Sequence, residues 1–302
     1  MNFFQLLFPD FSLILLGFLL CRFTALNRSV WDKVEPLSYY LLFPVLLFHS
    51  IVKTPLNLVA TSGLMVAGLS LTTCGIALAY LLPHLPWLKS HIDRREHAAA
   101  AQIGFRFNAV ITLALAERLA GPQGLALVAL LIGTCVPVLN IAAVYPMARH
   151  DGRNVMGELI KNPFILATVG GVVANLAGFR IPEVLLPTVT RIGAASLALG
   201  LLSAGAGLQL TALAQSKTLG VSVLTIRHFL SPLMALALAH GLNLNAVQTT
   251  VLMLYSAVPT SPSAYVLAAR MGYNGAPVAA LVTLSTVLAL LSLPFALALA
   301  AY

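Results

Sequence analysis

The run AVPTSPS at residues 257–263 interrupts a long apolar stretch of the chain. Pro259 and Pro262 each lack a backbone N–H, and the ring of each clashes with the carbonyl four residues earlier, so a helix breaks here. The run QIGFRFN at residues 102–108 interrupts a second apolar stretch with Gln102, Arg106 and Asn108. Together the two runs predict a fold built around two broken helices.

The composition around these runs is that of a protein whose solvent is lipid. Of the 302 residues, 59% are hydrophobic and 9% charged, and the mean hydropathy is +0.93. An average soluble domain carries about 25% charged residues. We therefore predict an all-α polytopic membrane protein. The three cysteines form no CxxC pair, so neither a disulfide framework nor a zinc site is expected.

The apolar stretches predict about ten transmembrane helices, because one span needs about 20 mostly apolar residues. The first is expected to be an uncleaved span rather than a signal peptide. The predicted spans lie near residues 3–21, 35–52, 60–82, 96–118, 124–147, 163–178, 184–207, 218–240, 246–269 and 277–300.

Lysines and arginines between these spans are concentrated on one side. The loops that follow odd-numbered spans hold Arg22, Arg28, Lys33, Lys89, Arg94, Arg95, Arg149, Arg153, Lys161, Lys217 and Arg270, whereas the opposite side holds Lys53, Arg118 and Arg180. Cytoplasmic loops carry the excess of basic residues. We therefore expect both termini on the periplasmic side, and we assign the net charge of +8 to membrane orientation rather than to nucleic-acid binding.

Ten spans divide into two halves of five, with residues 1–154 as the first repeat and 155–302 as the second. Because five is odd, the halves must have opposite topology, as in many secondary transporters. The broken spans, four and nine, occupy corresponding places in the two halves. If they cross at the membrane midplane, the N-termini of their half-helices attract anions.

Polar residues near the midplane are the candidates for a substrate site. Arg106 lies about 15 Å into span four, where it either faces a substrate or ties helices together through freed carbonyls. The predicted substrate-binding residues are Arg106, Asn108, Asn140, Pro259, Thr260, Ser261 and Ser263. No Asp or Glu lies at the centre of a span, which favours an anionic substrate.

Arg227 and His228 lie near the middle of span eight. They form a second anion contact, a proton-responsive pair for coupling, or a pair bonded to neighbouring carbonyls. In span seven, Ser196, Gly200 and Ala204 recur every four residues, which predicts close helix packing within the scaffold or at a dimer interface.

Several motifs resemble the auxin efflux carrier family of membrane transport proteins, and the similarity extends over nearly the whole chain. They are PD at 9–10, LGF at 16–18, Trp31, PLSYY at 36–40, FPVLLF at 43–48, RFN at 106–108, GPQGLAL at 121–127, PVLN at 137–140, KNP at 161–163, PTSPSAYVLA at 259–268 and MGY at 271–273.

This resemblance implies two inverted five-helix repeats with discontinuous crossing helices 4 and 9, a fold like that of bile acid sodium symporters and sodium–proton antiporters. Helices 1, 2, 6 and 7 would form a scaffold panel, and helices 3–5 and 8–10 the moving core. Bacterial members are linked to malonate, malate and other small organic acids. In the family the crossing-point amide of span four contacts substrate, which corresponds to Asn108. The run 259–261 replaces the asparagine of plant members, so auxin itself is not expected.

We therefore predict a secondary transporter of small mono- or dicarboxylates in a bacterial inner membrane, working by alternating access. No cofactor is expected beyond a coupling proton or sodium ion. The expected partners are the anion, the bilayer and, as the small-residue stripe permits, a second copy in a homodimer.

Three alternatives stay open. One keeps the fold and makes the protein a sodium-coupled symporter of bile acid-like amphipathic anions. Another is an intramembrane serine enzyme that uses Ser196 with His228 or His240. The last is a passive channel or receptor. Because the four small residues at 193–196 are weak evidence for a serine nucleophile loop and no HExxH motif is present, the prediction is that the protein is not an enzyme.

Overall fold

The computed structural model describes residues 3–53, 58–148, 163–208, 217–261 and 263–300, and within these ranges the chain is helical without strands. The α-helices are α1 (Phe3–Phe23), α2 (Arg28–Leu37), α3 (Phe43–Lys53), α4 (Leu58–Leu81), α5 (Arg94–Ala100), α6 (Ala109–Ala148), α7 (Pro163–Leu176), α8 (Leu186–Ala206), α9 (Lys217–Thr225), α10 (Ser231–Gly241), α11 (Ala246–Ala257), α12 (Ser263–Arg270) and α13 (Gly275–Ala300). Short π turns, Ser38–Leu42 and Ile226–Leu230, join α2 to α3 and α9 to α10.

Six helical segments in the described ranges are long and apolar enough to cross a membrane. They are Arg28–Lys53, Thr61–His84, Arg94–Met147, Leu186–Ala206, Lys217–Gly241 and Gly275–Ala300. This agrees with an all-helical polytopic membrane protein. Ten crossings and an inverted repeat remain predictions, and the boundary between residues 154 and 155 lies outside the described residues, as do Arg149, Arg153 and Lys161.

The predicted spans at 96–118 and 124–147 are not separated by a loop. Helix α6 runs from Ala109 to Ala148, and its backbone departs from helical geometry at Gly121, with φ 60° and ψ −156°. Side chains other than glycine rarely adopt this positive φ. The chain therefore changes direction at Gly121. The next residue, Pro122, has no backbone N–H, so no hydrogen-bond donor is lost at that position when the helix is interrupted.

The small-residue stripe on α8 packs within the chain. Ser196 and Gly200 are buried, and a Cβ at Gly200 would lie 2.5 Å from both the Phe43 ring and a Val110 methyl group. Helix α8 also meets α1 at Gly205, where a Cβ would overlap the backbone carbonyl of Ile14. The stripe is thus used in intramolecular packing, which is the scaffold role of the two that the sequence leaves open.

One polar contact links α2 to α12. The guanidinium of Arg28 forms ion pairs with Asp32 at 2.9 Å and Glu35 at 2.8 Å on its own helix. Its Nη2 also donates to the hydroxyl of Tyr265 on α12, at 2.9 Å. This contact therefore joins a helix of the predicted panel to a helix of the predicted core.

Candidate functional site at the two helix breaks

The two interrupted runs meet in the structure. After α5 the chain forms a short 3₁₀ turn, Ala101–Gly104, and leaves helical conformation before α6 begins at Ala109. Helix α11 ends at Ala257, and Val258 is extended, with φ −63° and ψ 153°. The backbone amide of Asn108 donates to the carbonyl of Pro259 at 2.8 Å. A hydrogen bond therefore joins the two unwound segments, and the place where they meet is called the crossing below.

Asn108 caps the N-terminus of α6. Its Oδ1 accepts from the amides of Val110 at 3.1 Å and Ile111 at 3.3 Å, and the residue is 3% exposed. An asparagine in this place satisfies amides that the first turn of a helix leaves without partners. The predicted substrate amide therefore uses its oxygen for capping, and its NH₂ group is the part that remains to contact a ligand.

The guanidinium of Arg106 lies at the crossing among neutral acceptors. It donates to Gln102 Oε1 at 3.2 Å, Asn140 Oδ1 at 3.3 Å and Ser263 Oγ at 3.0 Å. The residue is partly exposed, and none of these partners carries a negative charge. A guanidinium has five N–H donors, of which these contacts use three. Among the described residues, none of these three contacts neutralises its positive charge.

Ser261 and Ser263 form the start of α12. Ser261 Oγ lies 2.8 Å from Ser263 Oγ and accepts from the Ser263 amide at 3.3 Å. Pro262, between them, lies outside the described residues. Because Arg106 also donates to Ser263, the structure brings the predicted arginine and both serines to one helix N-terminus.

Thr260 is held by its backbone. Its amide donates to Ser285 Oγ on α13 at 3.0 Å. The side chain is fully buried, and its hydroxyl has no hydrogen-bond partner among the described residues. A buried hydroxyl without a partner costs free energy, so this hydroxyl is a polar group that the described residues leave uncompensated.

Arg227 binds the carbonyl end of α11. Its Nε donates to Val258 O at 2.9 Å, and its Nη2 donates to Val258 O at 2.6 Å and Tyr255 O at 2.9 Å. It is 2% exposed. Of the roles considered from the sequence, the contacts are those of an arginine bonded to neighbouring carbonyls, which compensates groups that the helix break sets free.

His228 contacts two serines of α13. Its Nδ1 lies 2.8 Å from Ser292 Oγ and its Nε2 lies 2.8 Å from Ser285 Oγ. Ser196 Oγ instead donates to the carbonyl of Ile192 on its own helix, at 2.8 Å. The structure therefore does not bring Ser196 and His228 into the contact that a serine nucleophile and its base need.

The sequence reasoning left three contributors out of the predicted site. Gln102 lies one helical turn before Arg106, a spacing that predicts contact. Ser285 and Ser292 are seven residues apart in the largely apolar α13, so both lie on one face of that helix. This pair of serines on one helix face is the sequence pattern that could have predicted their contact with another polar side chain. In the described ranges, no group of three His, Cys, Asp or Glu residues could hold a metal ion.

Comparison with known protein families gives one match. A family model described as "Membrane transport protein" matches residues 146–297, which is half of the chain and includes the second break. No curated protein matches the chain significantly.

Proposed function

Since the chain belongs to the membrane transport protein family, the auxin efflux carrier family of membrane transporters, we propose that it is a secondary transporter of small organic anions. The observation that carries this proposal is the Arg106 guanidinium, whose hydrogen-bond partners at the crossing are all neutral. Charged side chains within membrane-spanning segments are costly and mostly pair with an opposite charge or face a water-filled cavity. A carboxylate arriving from water would supply the missing charge.

The groups around Arg106 suit a small carboxylate. Two oxygens of one carboxylate match the planar fork of a guanidinium. The N-termini of α6 and α12 both adjoin the crossing, through Asn108 and Ser263, and helix N-termini favour negative charge. The hydroxyls of Ser261, Ser263 and Thr260 add groups that orient a second carboxylate or a hydroxyl. Malonate and malate are therefore our proposed substrates.

Transport requires the crossing to open alternately to the two sides of the membrane. We propose that predicted spans 3–5 and 8–10, which include the crossing, move against a panel formed by predicted spans 1, 2, 6 and 7. These numbers refer to the spans predicted from the sequence and not to α1–α13. The proposed location is a bacterial inner membrane with periplasmic termini. A proton or a sodium ion is the proposed coupling ion.

The test is uptake of radiolabelled malonate and malate into proteoliposomes. Arg106→Ala should lower saturable uptake at least about tenfold, because a charge-assisted pair with a carboxylate contributes about 1.5–3 kcal/mol. Arg106→Lys keeps the charge but not the fork, so its uptake should be intermediate. Arg191→Ala, at an exposed arginine of α8, is the matched control and should transport like the wild type.

Imposed pH and sodium gradients in the same vesicles identify the coupling ion. If the wild type carries neither acid, the proposed substrates are wrong. Normal uptake by a folded Arg106→Ala protein would instead make Arg106 a tie between helices and leave the transporter proposal in place.

A further inference from the structure

A chain of hydrogen bonds runs from His228 to the unwound segment after α11. His228 Nε2 lies 2.8 Å from Ser285 Oγ, and Ser285 Oγ accepts from the Thr260 amide at 3.0 Å. On the other side of the ring, Nδ1 lies 2.8 Å from Ser292 Oγ. Among the described residues, the hydrogen bonds of the imidazole thus connect it to the crossing through Ser285.

The donors and acceptors around Ser285 indicate which ring nitrogen of His228 carries the proton. The Thr260 amide can only donate, so Ser285 Oγ accepts there and directs its own proton to its other described partner, His228 Nε2. Nε2 is therefore unprotonated, and the ring proton is on Nδ1, which donates to Ser292 Oγ. If both ring nitrogens were protonated, Ser285 Oγ would face two donors and its own proton would lose its acceptor.

The charges around the ring support a neutral imidazole. Arg227 is its neighbour in the chain and already places one buried positive charge there. His228 lies in the π turn Ile226–Leu230. The described elements packed against this turn are α4, α9, α10, α11, α13 and the 3₁₀ turn Ala101–Gly104, and their sequences contain no Asp or Glu. Their tyrosines are engaged elsewhere, Tyr255 with Thr72 and Tyr80 with the carbonyl of Ala142, and Cys74 is exposed. Lys217 and His240 lie at the far ends of α9 and α10.

We propose that His228 is a positioning residue: as a neutral imidazole it orients Ser285, which fixes the Thr260 amide and with it the segment that presents Thr260 and Ser261 to the anion. This inference rests on the proposed function, because the segment matters for transport only if the crossing binds the substrate. It assigns His228 a different role from that of a proton carrier.

The test compares substitutions that keep or remove the acceptor for Ser285. His228→Gln offers its amide oxygen in place of Nε2, whereas His228→Phe and Ser285→Ala each break the chain. Loss of one such hydrogen bond should raise the KM for malonate about 3- to 10-fold and leave the maximal rate nearly unchanged. His228→Gln should stay within about twofold of the wild type on the same scale.

Two further measurements separate positioning from proton transfer. The double variant of His228→Phe with Ser285→Ala should be no worse than Ser285→Ala alone, because both changes break one pathway. The pH profile of uptake by His228→Gln should match that of the wild type. A wild-type pH dependence that disappears in His228→Gln, or additive losses in the double variant, would overturn the proposal.

Hydrogen exchange provides a readout that does not need transport. In peptides containing residues 258–261, His228→Phe and Ser285→Ala should speed deuterium uptake, while His228→Gln should not. Unchanged exchange in both broken variants would refute the positioning role. If the wild type carries no acid, the proposed function fails, and the exchange result still decides whether His228 holds this segment.

Discussion

Arg106 and Arg227 are both arginines within apolar stretches, but their surroundings differ. Arg227 is 2% exposed and donates hydrogen bonds to backbone carbonyls 28 and 31 residues away along the chain. Arg106 contacts side-chain acceptors and remains partly exposed. The sequence places both arginines near the middle of a predicted span, so depth in the membrane does not distinguish them. The distinction depends on where α11 ends in space, which local spacing does not determine.

At this scale we expect Arg227→Met to destabilise the protein. The change leaves the Val258 and Tyr255 carbonyls buried without these donors, and each such group costs about 1–3 kcal/mol. The total should be about 2–5 kcal/mol, measured as a lower midpoint of thermal unfolding in detergent. Arg191→Met, at an exposed arginine, is the control. Equal stability of the two variants would contradict the capping role of Arg227.

At the scale of elements, helices α1 and α8 approach so closely that their backbones touch. A Cβ at Gly17 would overlap the backbone of Leu202, and one at Gly205 would overlap the backbone of Ile14. Small residues at such contacts allow helices to pack by van der Waals attraction in lipid, where no hydrophobic effect drives association. Helix α8 also packs closely on Phe43 and Val110 through Gly200, so it contacts α1, α3 and α6.

We therefore expect Gly205→Ala to lower stability by about 1–3 kcal/mol, since backbone atoms cannot rotate away from the new methyl group. Gly170→Ala on α7 is the matched change, because a Cβ there meets nothing within 4 Å. It should be neutral or gain up to about 1 kcal/mol from helix propensity. Unfolding midpoints of the two purified variants provide the measurement. A Gly205→Ala protein as stable as Gly170→Ala would mean that α1 and α8 are free to separate.

At the scale of the whole molecule, the Arg28–Tyr265 contact joins the predicted panel to the predicted core on the side that carries most lysines and arginines. Tyr265 is two residues after Ser263, whose hydroxyl accepts from Arg106 at the crossing. A transporter that alternates its access must break and reform contacts of this kind. The contact would hold the crossing closed on this side.

We expect Tyr265→Phe to shift the population toward opening on that side by about 3- to 10-fold, the equivalent of one hydrogen bond. The measurement is the rate at which an impermeant thiol reagent labels Ser263→Cys in a background without Cys21, Cys74 and Cys135. Tyr145→Phe, at an exposed tyrosine, should not change the rate. An unchanged rate in Tyr265→Phe would show that the contact does not restrain opening.

The sequence by itself determined the membrane class, the family resemblance and the places where two helices break. Hydropathy adds up along the chain, and proline removes a local donor, so neither property needs a tertiary partner to act. The tertiary structure decided which side chains meet at those breaks. The Asn108 amide bonds to Pro259, Arg227 bonds to Val258, and His228 reaches Thr260 through Ser285. These partners are far apart in sequence, and a hydrogen bond specifies its partner only when packing brings both groups within about 3 Å.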